Sequence, residues 1–267
     1  MPVKCFYDIS KLSKYDKNEY PEFFARFYDL IYSKVETGID ESLYFKKISQ
    51  TKGKILEAGV GTGRLFVKAL KGGADIYGVD ISPAMIEVLR KKLDGKDQGR
   101  VIVKDITDMN LDVKFDLVIS PFRVFAHLLK VEDQLKALNC IYKHLNPGGI
   151  FIFDVFVPDL KILTEGTEAT VDFEGADESG IKEVRIASVS SDLIKQVSNI
   201  KMRIEWKEKE ELKSDEWNVK MRYYFRYELE NLIGRSPFKL IDIYGDSEGQ
   251  PLTGDSKNFI VVCKKEF

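Results

Sequence analysis

The sequence predicts an α/β chain: a mostly parallel sheet with helices on both faces, carrying an antiparallel β-rich insertion. Three observations predict it. Between residues 52 and 163, short apolar runs alternate with helix-like stretches. Those runs are apolar throughout, which suits strands buried on both faces of a parallel sheet. Within residues 164–228 the pattern switches: Ile200 to Trp206 and Val219 to Tyr227 show period-two alternation, the signature of strands with one wet face.

The elements follow in order. Residues 1–50 read as a helical cap, with Phe23, Phe24, Phe27, Leu30, Ile31 and Val35 spaced by three and four from Pro21 to Val35. A second helix runs from Asp40 to Ser49 after a turn at Thr37-Gly38. Lys54 to Val60 is a strand ending in glycines, and Leu65 to Leu70 is a helix. Asp75 to Asp80 is a strand; Ser82-Pro83 then starts a helix to Leu93, with serine as cap and proline at the first position. Val101 to Val103 and Phe115 to Ser120 are strands. Val131 to Leu145 is a helix stopped by Asn146-Pro147-Gly148-Gly149, and Ile150 to Val157 is a strand. In the insertion, Ile200, Met202, Ile204 and Trp206 alternate with charges, as do Val219 to Tyr227. Tyr227 to Gly234 reads as a helix. Phe238 to Tyr244 and Asn258 to Cys263 read as a closing hairpin. The chain divides into a cap at 1–50, a core at 51–163 and 229–267, and a lid-like insertion at 164–228, all within one domain.

Composition narrows the function. Forty-one basic and 43 acidic residues leave a net charge of −2, which argues against a general nucleic-acid binder, though a local basic groove stays open. Cys5, Cys140 and Cys263 form no disulfide framework, and with only His127 and His144 no metal site is expected. No apolar signal core or membrane span stands out, so a soluble, cytoplasmic protein is expected.

The densest signal is Glu57-Ala-Gly59-Val-Gly61-Thr-Gly63-Arg64, where a strand meets a helix. Glycines there let the chain turn sharply and let a ligand approach the backbone. A nucleotide-like ligand at the carboxyl edge of the strand is the functional reading; a tight turn without a ligand is the alternative. The dinucleotide fingerprint fails, because the sixth position from Gly59 is Arg64, and the Gly-Lys-Ser/Thr of a P-loop is absent. Nineteen residues after Gly61, Asp80 ends the next strand, where an acid can accept from both ribose hydroxyls. Capping the following helix is its alternative role, but Ser82 is the better cap and leaves Asp80 free.

Together these residues resemble class I S-adenosylmethionine-dependent methyltransferases. Asp105-Ile106, Phe115 to Ser120 and Leu145 to Asp154 match later landmarks of that family in order and spacing. The resemblance implies a Rossmann-like sheet of seven strands and S-adenosyl-L-methionine as cofactor. It implies that Asp105 and the Ile106 backbone meet adenine, with Ile81 and Met85 giving apolar contact. A turn role for Asp105 and a core role for Ile81 and Met85 are the alternatives. Glu57, Gly59, Gly61, Gly63 and Ser120 complete the expected cofactor set. Arg64 meets the donor carboxylate or sits solvated in the first helical turn.

The stretch Ser120-Pro-Phe-Arg123-Val-Phe-Ala-His127-Leu, with Phe27-Tyr28-Asp29 upstream, resembles small-molecule N-methyltransferases acting on glycine or sarcosine and on aminosugars. Arg123 departs from the Asn or Ser common there and suggests an anionic acceptor group. A nucleic-acid amino-methyltransferase motif is only a near miss, with one proline and Arg123 in place of the aromatic. The resemblance implies methyl transfer to a small-molecule acceptor, most simply an amine nitrogen, in a lidded pocket. That pocket would be built from the 120–127 turn, the N-terminal helix, the 164–228 arm and the loop after Tyr244. Its expected catalytic residues are His127, Arg123 and Tyr32. His127 is either a base with a suitable pKa or a structural hydrogen-bonding residue. Tyr28 and Tyr32 touch donor or acceptor, or are core. His144 is read as closing the last turn of its helix. An RNA- or protein-modifying methyltransferase and a non-catalytic S-adenosylmethionine-binding protein are the alternative functions. A homodimer through the insertion also stays open.

Overall fold

The computed structural model describes residues 20–34, 41–177, 180–208 and 211–266. The helical reading of residues 1–19, Cys5, the helix end at Val35 and the helix start at Asp40 lie outside them. No helix among the described residues is long and apolar enough to cross a membrane.

Helices α1 (Glu22–Lys34) and α2 (Ser42–Gln50) lead into β1 (Ile55–Ala58), followed by α3 (Phe66–Lys71), β2 (Ile76–Asp80), α4 (Pro83–Arg90) and β3 (Val101–Val103). Then come β4 (Phe115–Ser120), α5 (Val131–His144) and β5 (Leu145–Phe156). The strands β1 to β5 pair in parallel in the order β3-β2-β1-β4-β5. β10 (Lys239–Tyr244) and β11 (Asn258–Lys264) close the sheet as an antiparallel hairpin, with β11 antiparallel to β5. This is the seven-stranded, mostly parallel Rossmann-like sheet expected above.

Successive strand residues go to opposite faces, and each face has its own core. Leu56, Val118, Phe151 and Phe153 pack with Ala137, Leu138 and Ile141 of α5. Ile55, Leu117, Ile119 and Ile152 pack with Leu43 of α2, Phe66 of α3 and Leu89 of α4. Both faces are covered, which is why these strands read as continuous apolar runs.

The insertion is a second sheet, four strands in a meander: β6 (Thr167–Ala176), β7 (Lys182–Asp192), β8 (Val197–Glu208) and β9 (Glu211–Arg222). Its inner face packs on α1 through Phe24, Phe27, Ile31, Met202, Ile204 and Trp217. Each such fully buried side chain contributes about 1.5–3 kcal/mol, so α1 and this sheet form one body. The outer face carries mixed pairs, Lys201–Glu216 at 3.0 Å and Arg203–Glu205 at 2.7 Å, and is an ordinary solvated surface.

Four boundaries differ from the sequence reading. The alternation stops at Arg222, because Tyr223 and Tyr224 are both buried as the chain leaves the sheet for α7 (Arg226–Gly234). A short helix, α6 (Leu160–Glu165), is capped by Asp159 accepting from Lys161 and Ile162 N–H groups. α4 ends three residues before Leu93, which remains buried. Asn146 to Gly149 does not separate α5 from β5; it is a bulge inside β5, since Phe115 pairs with Leu145 and Leu117 already pairs with Ile150.

Candidate functional site

The strand β1 ends in a loop that turns three times through glycine. Gly59 and Gly63 both sit at φ +84° and Gly61 at φ +54°. The three do different work. A Cβ on Gly59 would strike Val124 at 2.4 Å, and one on Gly63 would strike Leu89 at 2.3 Å. Those two allow close packing. A Cβ on Gly61 would meet nothing within 4 Å, so this glycine borders open space.

That space is a cavity of about 670 Å³, within the usual range for small-molecule sites. Eleven of the expected site residues line it: Tyr28, Glu57, Gly59, Gly61, Arg64, Asp80, Ile81, Met85, Asp105, Ile106 and His127. Four do not. Gly63 packs against α4. Ser120 is buried, and its hydroxyl donates to the Ala58 carbonyl at 2.9 Å, tying β4 to β1. Tyr32 lies behind the wall, with the Arg64 and Arg185 guanidinium groups 5.9 and 5.2 Å from its ring. Arg123 turns away, its guanidinium 5.6 Å from the Phe156 ring. The loop after Tyr244 also contributes nothing to the lining.

Asp80 is not free. Its Oδ2 accepts from Gly61 N–H and its Oδ1 from Ser82 N–H, both at 2.8 Å. Ser82 does cap α4, accepting from Met85 N–H at 3.3 Å. Asp80 therefore shapes the glycine loop, and each oxygen still has a lone pair for a ligand. Burial pushes its carboxyl up, against the pull of those backbone bonds. Asp105 makes a local turn, accepting from Thr107 N–H and Oγ1, both at 2.8 Å; it lines the cavity as well.

Two buried polar atoms on this wall have no hydrogen-bond partner among the described residues: Glu57 Oε2 and Arg64 Nη1. Burial, together with repulsion from Glu41 and Asp80, holds the Glu57 carboxyl well above the usual range. Arg64 stacks on Phe122 at 4.4 Å and meets Glu41 only at 4.0 Å. The buried Glu57 carboxyl, which an ammonium placed against it would draw into its ionised form, and the half-buried Arg64 guanidinium fit the ammonium and carboxylate of an amino-acid group. The residues present therefore fit the cofactor that the sequence implies.

The end of β4 turns through two left-handed residues, Phe122 at φ 61° and Arg123 at φ 65°. Such conformations cost of order 1–3 kcal/mol each for non-glycine residues. Asp154 on β5 holds them. Its Oδ1 accepts from Phe122 N–H at 2.9 Å and Tyr44 O–H at 2.6 Å, and its Oδ2 from Arg123 N–H at 2.9 Å. The turn then carries Val124–His127 as one short 3-10 stretch that aims His127 into the cavity. Burial lowers the His127 pKa to about 4. The expected base with a pKa near the working pH is thus not what the fold provides; it provides a neutral imidazole. Its Nε2 lies 3.5 Å from the Tyr20 hydroxyl. His144, by contrast, is buried: its Nδ1–H donates to Cys140 O at 2.8 Å and its Nε2 accepts from Leu111 N–H at 3.1 Å. It clamps the loop before β4 as well as closing its helix.

The lid is latched to the loop. The Thr62 hydroxyl donates to Asp29 Oδ1 at 2.6 Å, Lys92 pairs with Asp29 Oδ2, and Lys92 Nζ donates to the Thr62 carbonyl at 2.7 Å. One cluster thus joins α1, the glycine loop and the segment after α4. Sequence reasoning missed Tyr20, Thr62, Lys92, Asp154 and Asn218. The only usable signal was the Tyr28-Asp29 pair; the others show no local pattern.

A methyltransferase-domain family model matches residues 55–149. Over 135 residues the chain is 34% identical to the malonyl-[acyl-carrier protein] O-methyltransferase 1 of Ilyobacter polytropus, covering 49% of this chain and 48% of that protein. Over 159 residues it is 31% identical to the glycine/sarcosine N-methyltransferase of Aphanothece halophytica, covering 58% and 60%. The chain thus spans about half the length of the curated relatives it matches. An S-adenosylmethionine-dependent methyltransferase structure from Clostridium acetobutylicum superposes with a TM-score of 0.72 at 18% identity, covering 92% of this chain and 98% of that one. It shows the same fold.

Proposed function

Taking residues 55–149 as a class I S-adenosylmethionine-dependent methyltransferase domain, we propose that this chain transfers a methyl group from S-adenosylmethionine to an amine nitrogen of a small molecule. The observation that carries the reading is the pair of buried polar atoms with spare capacity, Glu57 Oε2 and Arg64 Nη1, beside the open face of Gly61. Glu57 takes the ammonium end and Arg64 the carboxylate end of the donor. Asp80 holds the ribose hydroxyls, and Asp105 and Ile106 the adenine, with Met85 and Ile81 against the ring. The bound donor supplies a methyl on a sulfonium, open to in-line displacement.

The chain's own work is positioning and exclusion. Orientation of two reactants can supply several kcal/mol of the barrier. α1 and the second sheet cover the cavity and keep water out. Neutral His127 Nε2 and the Tyr20 hydroxyl offer an acceptor and a donor, and hold the nucleophile rather than strip its proton. An amine suits this site because it attacks with its own lone pair once unprotonated. The name of the Aphanothece relative supports nitrogen; the name of the Ilyobacter relative keeps oxygen as a second reading.

S-Adenosylhomocysteine should stabilise the protein by about 2.7 kcal/mol at a hundredfold excess over its dissociation constant, seen as a raised Tm. NAD should not. Glu57→Gln and Arg64→Gln should each weaken that binding by roughly 1.5–3 kcal/mol. Stabilisation by NAD with none by S-adenosylhomocysteine would overturn the reading.

A further inference from the structure

The cavity opens at one side into a second hollow of about 520 Å³. Leu129, Lys130 and Lys220 line both. The second hollow runs between the start of α5 and the turn joining β7 to β8. It is a groove with a sign. Lys130 and Lys220 make no ion pair among the described residues. Arg222 is held by Glu228 at 2.6 Å and by Gln196 at 3.1 Å, yet its Nε is buried with no partner. Lys195 is tied to Asp192 at 3.3 Å. Of the acids, Asp192 is spent on Lys195 and on backbone N–H groups, which leaves Glu132 alone facing the groove. In a chain of net charge −2, two unpaired lysines beside a buried, unsatisfied guanidinium N–H mark a place for an anion.

The route into the site points the same way. On the α1 side the cavity is lined by Tyr20 and Tyr28, and the Tyr20 ring packs 4.5 Å from that of Trp217. Lys130 and Lys220 stand at the junction of the two hollows.

We infer that the acceptor is longer than the cavity: its nucleophile reaches His127 while an anionic tail, phosphate or carboxylate, lies in the groove against Lys130, Lys220 and Arg222. This rests on the methyltransferase reading and names the acceptor's chemical class.

The test uses the full chain saturated with S-adenosylhomocysteine, titrated by calorimetry with pyrophosphate and, separately, with succinate. At least one should bind at millimolar concentration, and added salt should weaken it. The double variant K130E/K220E should weaken it by about tenfold or more, while S-adenosylhomocysteine affinity stays within about twofold. K130Q/K220Q gives the same reading with less charge change, should the reversal disturb folding. The arm that binds identifies the anion. Absence of binding by either anion up to about 10 mM, or equal binding to wild type and variants, overturns the inference. Failure of S-adenosylhomocysteine itself to bind would instead strike the methyltransferase reading.

Discussion

At the scale of single residues, burial decides what His127 can do. An imidazole with a pKa near 4 is neutral across the physiological range. Proton transfer to it from an ammonium is far uphill, so it is a poor general base for that step. The rate should follow the acceptor's own ionisation. For an amine acceptor, kcat/KM should rise with pH by about tenfold per unit from pH 6 to pH 8, without an inflection near 6.5. His127→Asn should lower kcat and keep that profile. An inflection near 6.5 in the wild type that His127→Asn abolishes would restore the base role. The same shift has a stability sign. The folded pKa lies below the unfolded value, so His127 contributes stability above about pH 6.5 that is lost as pH falls towards 4. The resulting sequence lesson is specific: His127 was legible as a site residue from its place after β4. Its chemistry was not, because that depends on Tyr20 and α1, which pack over it from more than a hundred residues away in the chain.

Between elements, the contacts that matter join distant segments. Asp29, Thr62 and Lys92 come from α1, the glycine loop and the segment after α4. Their ion pair is partly exposed, and such pairs contribute little alone. The buried Thr62 hydroxyl is the stronger link. Thr62→Val should cost about 1 kcal/mol of the closed state, read as roughly fivefold faster release of S-adenosylhomocysteine in stopped flow, with the circular dichroism spectrum unchanged. Release at the wild-type rate would mean that α1 is held by its apolar face alone. The elements themselves were largely legible, since parallel strands buried on both faces and a capped α4 leave strong local patterns. The strands β6 and β7 were not, because β6 is an edge strand whose only buried side chain is Phe173, which leaves burial little hold on its sequence. The left-handed turn at Phe122 and Arg123 was equally hidden. It exists because Asp154, on another strand, supplies three hydrogen bonds to this corner of the fold.

For the whole molecule, the fold sets a gradient of order around the cavity. The strands β1, β4 and β5 lie in the middle of the sheet, largely buried, and hold one wall of the site regardless of ligand. The opposite wall belongs to α1 and the second sheet, which meet the core through the latch, through Tyr20 on Ser82, and through Met221 and Tyr32. Opening there exposes less apolar surface than global unfolding, so it has a lower free energy. A ligand that touches both walls must then protect the weaker one most. Amide exchange followed by mass spectrometry should show α1 and the loop at residues 59–65 slowed on adding S-adenosylhomocysteine, β9 slowed less, near Asn218, and β1 and β4 unchanged because they are already protected. β6, on the far edge of its sheet, should exchange at the same rate with and without ligand. Protection confined to the glycine loop, with α1 unaffected, would show that the helix is a fixed part of the scaffold and that the acceptor enters a permanently formed site.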